Sequence, residues 1–168
     1  MKHVKRHLFI GVLILGFSLQ GFAQEVLPEI TVKAVHYKYL SAVDHKELAQ
    51  PVKMVQKMAA EYDVRKSEYY EDEYDTYFIS FIIPQGELLA TYDQDGKLLR
   101  TAEKYKNISL PAAVTQAVKT KYAGWNIAED AYLVNFYEQG DATRVYKLTL
   151  QKGDKRMKVK LNEKGEFI

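Results

Sequence analysis

Residues 109–168 read SLPAAVTQAVKTKYAGWNIAEDAYLVNFYEQGDATRVYKLTLQKGDKRMKVKLNEKGEFI, and their periodicity changes once, from four to two. Leu110, Val114, Val118 and Tyr122 recur every four residues, with Ala113 and Ala117 beside them and Lys119 and Lys121 on the other side. That spacing predicts an amphipathic helix. Ser109 suits its N-cap, Pro111 its first turn and Gly124 its end. Three strands are expected next. Residues 131–137 are rich in β-branched and aromatic side chains. Tyr146, Leu148 and Leu150 alternate with Lys147 and Thr149, and Met157, Val159 and Leu161 alternate with Arg156, Lys158 and Lys160. Such alternation means one buried face and one wet face. The turns between carry Gly140 and Gly153, as hairpins favour.

The first half of the chain suggests the same pattern. Pro51, Met54, Met58 and Tyr62 match Pro111, Val114, Val118 and Tyr122 at an offset of 60 residues, with Val55 and Ala59 alongside. Tyr77, Ile79 and Phe81 match Tyr146, Leu148 and Leu150 at an offset of 69, which also relates Leu88, Ala90 and Tyr92 to Met157, Val159 and Leu161. A shared period is the cue for duplicated units. The expected fold is α+β: two tandem repeats, each one helix packed on an antiparallel sheet of about three strands. The expected divisions are a signal peptide at 1–23, an N-terminal strand segment at 24–43, a first repeat at 44–100 and a second at 101–168, with residues 100–109 as a polar, basic linker. Residues 30–39 read as the N-terminal strand. Asp44 and Glu47 have capping-box spacing.

The N-terminus points to export. Lys2, Lys5 and Arg6 precede an apolar run at residues 8–19, and Gly21-Phe22-Ala23 offers small residues at the two positions a signal peptidase reads. Cleavage is expected after Ala23, giving a periplasmic or secreted protein with no transmembrane segment after processing. Removing those three cations turns the formal charge of +2 into −1, so the overall charge gives no sign of a nucleic-acid partner. The chain has no cysteine, which excludes disulfides, thiol catalysis and thiolate metal sites.

Several motifs have a chemical and a structural reading. Asp93-Gln94-Asp95-Gly96 invites calcium, but an EF-hand would need ligands where Thr91 and Ala102 stand. Asn162-Glu163-Lys164-Gly165 occupies the equivalent place and keeps the glycine without the charge, so a structural turn is expected. The basic strand Arg156, Lys158, Lys160, with Lys147, Lys152 and Lys155, offers a site for phosphate, lipopolysaccharide or an acidic protein, or simply the wet face of a sheet. His36 and His45 form no catalytic set with a serine and a carboxylate. No enzyme, cofactor or metal is expected.

The turn Tyr92-Asp93-Gln94-Asp95-Gly96-Lys97-Leu98-Leu99, then Leu110-Pro111-Ala112-Ala113-Val114 and the terminal Asn162-Glu163-Lys164-Gly165-Glu166-Phe167-Ile168, resemble the PepSY-like domains of exported bacterial proteins. Their tandem form is similar to beta-lactamase inhibitor protein. The resemblance covers residues 51–168 and implies helix-plus-sheet repeats and a binding or inhibitory role outside the cytoplasm, without catalysis. The inhibitor's disulfides have no counterpart in this chain, and no motif specifies a β-lactamase as target. The expected partner is an extracytoplasmic protein or peptide. The alternative is a small ligand, lipid or peptide held in a groove between the repeats.

The same alternation selects the expected binding residues. It turns Phe78, Ser80, Ile82 and Leu89 away from the helix side, onto a face that should be wet. Three large apolar residues there are either covered from within or form a partner-binding patch. The patch would comprise Phe78, Ile82 and Leu89, rimmed by Tyr69, Tyr70 and Tyr74 of the acidic stretch 68–75.

Overall fold

Each strand of the chain pairs with the next, so six strands lie in chain order in one antiparallel sheet. The computed structural model describes residues 36–168. Two helices come first, α1 (Tyr37–Val43) and α2 (Gln50–Glu61), followed by a 3-10 turn at Val64–Lys66. Strands β1 (Thr76–Ile83), β2 (Gly86–Asp93) and β3 (Leu98–Lys106) precede α3 (Ala112–Lys121). Then come β4 (Asn126–Tyr137), β5 (Thr143–Lys152) and β6 (Lys155–Leu161).

The helices cover one face of this sheet. From the strands, Leu88, Ala90, Tyr92, Tyr105, Tyr132, Val134, Phe136, Tyr146, Leu148 and Leu150 are buried there. Tyr39 and Val43 of α1, Val52, Val55 and Ala59 of α2, and Val114 and Val118 of α3 join them in one hydrophobic cluster. Burying apolar side chains between two layers is what stabilises such a fold. One cross-strand row is aromatic: Tyr105, Tyr132 and Tyr146 are partners in register and stack, the last two at 4.4 Å between ring centroids. The row starts at Gly86, opposite Tyr105, where a Cβ would lie 2.0 Å from the Lys104 carbonyl oxygen. Only glycine fits that approach.

The turns form as their residues dictate. The Asp93 carboxylate accepts from the backbone N–H of Asp95 and of Lys97, and Gly96 takes φ 79°. The Asn162 side chain accepts in the same way from Lys164 and Glu166, and Gly165 takes φ 80°. Both are Asx turns, so the acidic pair at 93 and 95 is turn chemistry.

The expectation of two tandem repeats is overturned. β3 pairs with β4 from Arg100↔Tyr137 to Lys106↔Ala131, which joins both halves into a single sheet. The residues expected as linker are mostly β3. An offset of 69 does relate β1 to β5 and β2 to β6. It also carries β3 past the end of the chain and maps β4 onto the end of α2 and the 3-10 turn. Period-two alternation recurs in any half-buried antiparallel strand, so matching patterns do not imply a duplicated unit. With one sheet there is no groove between two repeats, and that expected ligand site is absent among the described residues.

Local expectations fare unevenly. α3 buries Val114 and Val118 as its spacing predicts. Its N-cap is Pro111 rather than Ser109, and the backbone N–H of Ala112 donates to the Glu47 carboxylate. Glu47 therefore serves α3 instead of a capping box with Asp44. α2 turns a different stripe inward. Val52, Val55, Gln56, Ala59 and Ala60 are buried, while Met54 and Met58 are 55% and 49% exposed. The stripe runs i, i+3, i+4, i+7 and i+8, and apart from Gln56 its side chains are small, which lets the helix sit close to the sheet. The N-terminal strand expected over 24–43 is helical where it is described, from Tyr37 to Val43. Residues 24–35 and the expected signal peptide lie outside the described residues. No helix among the described residues is long and apolar enough to cross a membrane.

Candidate functional site: the open face of the sheet

The sheet face away from the helices has no layer over it among the described residues. Phe78 is 69% exposed, Ile82 76% and Leu89 41%. Register brings the three together: Leu89 sits opposite Ser80, which lies between Phe78 and Ile82 on the same side of β1. Diagonal neighbours across an antiparallel pair are within reach of long side chains. Beside them a shallow groove of about 430 Å³ is lined by Ser80, Leu89, Ala102, Lys104, Leu133 and Asn135. Along the row that begins at Ile82, Glu87 and Lys104 come next and separate the patch from half-buried Leu133 and Val145.

The tyrosines expected as a rim are placed otherwise. Tyr70 stacks on Tyr77 at 5.5 Å, and Tyr74 meets the same ring edge-on at 6.4 Å. Tyr77 points to the helix side, is 6% exposed, and donates its hydroxyl to the Glu71 carbonyl. Tyr70 and Tyr74 thus gather at the helix-side end of β1 rather than around the patch. Tyr69 is exposed in the segment before β1. The expected site divides into an apolar patch on the open face and an aromatic cluster behind it. Alternation within β1 explains the split, since Tyr77 and Phe78 must face opposite ways.

Sequence reasoning missed the most polar cluster. Glu103 of β3 is 4% exposed, and its two oxygens accept from Tyr39 (2.7 Å), Gln56 (2.8 Å), Thr101 (2.9 Å) and Tyr105 (2.9 Å). Burial raises its pKa above the usual carboxylate range, and the four donors oppose that shift. The partners lie on α1, α2 and β3, so the carboxylate ties three elements together. Both its oxygens are engaged, and its carboxylate is buried in the core on the helix side of β3.

The histidines act in packing. The backbone N–H of Leu98 donates to His36 Nδ1. His45 Nε2 lies 3.5 Å from the Tyr132 hydroxyl and 3.3 Å from that of Tyr146. Burial lowers both pKa values; at His45 the Arg144 guanidinium adds to the effect. Among the described residues no group of three or more His, Asp or Glu side chains is placed to hold a metal ion.

The basic residues occupy the other end of the open face. Lys106, Lys147, Lys158 and Lys160 line a groove of about 570 Å³ with Ala131, Thr149, Asn107 and the carboxylates Glu129 and Asp130. The face can therefore offer apolar contact at β1–β2 and positive charge at β5–β6. Compared with known proteins, the chain matches no family model and no curated protein.

Proposed function

We propose that this chain is an exported, non-catalytic protein-binding or inhibitor-like module that holds its partner on the open face of the sheet. One observation carries the proposal: Phe78, Ile82 and Leu89 stand side by side and exposed on a face with no covering layer among the described residues. Leaving large apolar side chains in water forgoes the stabilisation that burial would give, about 1.5–3 kcal/mol for each. Exposed apolar clusters of this kind mark contact surfaces. The signal-peptide pattern at residues 1–23 and the PepSY-like motifs support the same reading, with an extracytoplasmic protein or peptide as partner.

The test is a paired variant. Phe78→Ser with Leu89→Ser is expected to melt within about 3 °C of the parent, since surface substitutions change stability little. Proteins captured by the parent from an extracytoplasmic extract should be missing from the variant's eluate. An eluate identical to the parent's, with the fold intact, would remove the patch as the binding site.

A further inference from the structure

The lysines at the far end of the open face lie in an arrangement that folding does not favour. Lys147 and Lys160 are direct register partners on β5 and β6. Lys106 lies in the same cross-strand row, separated from Lys147 by Ala131 alone. Lys158 stands opposite Thr149 on the next row. Like charges directly opposite on a sheet destabilise it. None of these four lysines belongs to an ion pair among the described residues. The two carboxylates that line the groove already have partners, and Glu129 shares the row of Thr149 and Lys158 rather than that of Lys147 and Lys160. Glu129 takes Arg156 at 3.6 Å and the Thr149 hydroxyl at 3.2 Å, and Asp130 accepts from the backbone N–H of Ile108 at 3.2 Å. Nor does overall composition explain the cluster, because the chain beyond residue 23 has slightly more acids than bases.

Shape adds to charge. Ala131 and Thr149 are short and stand among the long lysines, leaving the groove of about 570 Å³. That volume falls within the range of about 300–1,000 Å³ typical of small-molecule sites. We infer that this groove binds the phosphate group of a small molecule or a lipid headgroup, held by Lys147 and Lys160 and flanked by Lys106 and Lys158. A carboxylate would offset one of the opposed charges. A phosphate monoester brings about −1.5 to −2 and three acceptor oxygens in one compact group, which matches a pair of lysines facing one another. The residues are separate from Phe78, Ile82 and Leu89, so either site can fail without the other.

The experiment titrates the full mature chain with inorganic pyrophosphate. In a parallel arm it uses vesicles of phosphatidic acid, with phosphatidylcholine vesicles as reference. Saturable binding that weakens with salt is expected in at least one arm. Lys147→Gln with Lys160→Gln should weaken it about tenfold or more. Lys119→Gln with Lys121→Gln, on α3, should leave it within about twofold. Pyrophosphate binding identifies a soluble phosphate as sufficient, and binding to phosphatidic acid alone identifies a headgroup. The melting temperature gives a second readout. Without anion the Lys147 and Lys160 variant should melt above the parent, and anion should raise the parent only. No saturable binding in either arm, or equal weakening by both pairs of substitutions, overturns the inference.

Discussion

At the scale of single residues, Glu103 is the side chain whose role the sequence conceals and the packing explains. A carboxylate with four donors and, among the described residues, no ion-pair partner sits between α1, α2 and β3. Removing it strands those donors, and an unsatisfied buried donor costs about 1–3 kcal/mol. Glu103→Ala is therefore expected to destabilise the fold by about 3 kcal/mol or more, measured by urea unfolding. The pH dependence has a definite sign. Burial raises the folded-state pKa above the unfolded one, so the folded chain binds more protons in the window between them. The contribution is fully present below the unfolded pKa of about 4.3 and falls as pH rises through the folded value. Unfolding curves should show the parent losing stability with rising pH above that point relative to Glu103→Gln. A flat difference would mean that the carboxylate titrates as if exposed. From the sequence Glu103 looked like one charge in a basic linker. Its donors come from residues 39 and 56 as well as from β3, and nothing local links them.

At the scale of elements, α3 was legible and α2 was not, for a physical reason. Both have apolar residues at a spacing of four. In α3 the alternative face carries Lys119 and Lys121, which decides the orientation. In α2 two stripes compete, and the one with valine and alanine wins because it packs closer to the sheet. Val55→Asp and Val118→Asp should each destabilise strongly, since each buries a charge. Met58→Asp and Lys119→Asp should shift the melting temperature by only a few degrees, about what a surface change allows. Damage from Met58→Asp equal to that from Val55→Asp would return α2 to the orientation its methionines suggested. β3 was hidden because Arg100, Lys104 and Lys106 face the wet side while Glu103 and Thr101 face in, leaving little apolar alternation to detect.

At the scale of the molecule, alternation assigns the faces of β1, β2, β5 and β6 but not which strands pair. Phe78, Ile82 and Leu89 do point away from the helices, as alternation alone predicts. Their neighbours across the sheet follow only from the order β1 to β6, which turns two supposed units into one continuous open face. That continuity puts the apolar patch and the lysine groove on the same surface. Processing is tested separately. Protein recovered from outside the cytoplasm should have the intact mass of a chain starting at Gln24, and a mass retaining residues 1–23 would contradict export by cleavage.

Binding of a partner at the open face can be measured directly, because the chain has no cysteine of its own. Ile82→Cys places one thiol on the patch, and Lys119→Cys places one on the opposite, helical side. Each protein carries a thiol-linked photo-crosslinker and is irradiated in an extracytoplasmic extract. Position 82 should give a discrete crosslinked product, competed away by unlabelled parent but not by the Phe78→Ser, Leu89→Ser variant, and position 119 should give none. No discrete product at 82, or the same product from both positions, would contradict binding at that face.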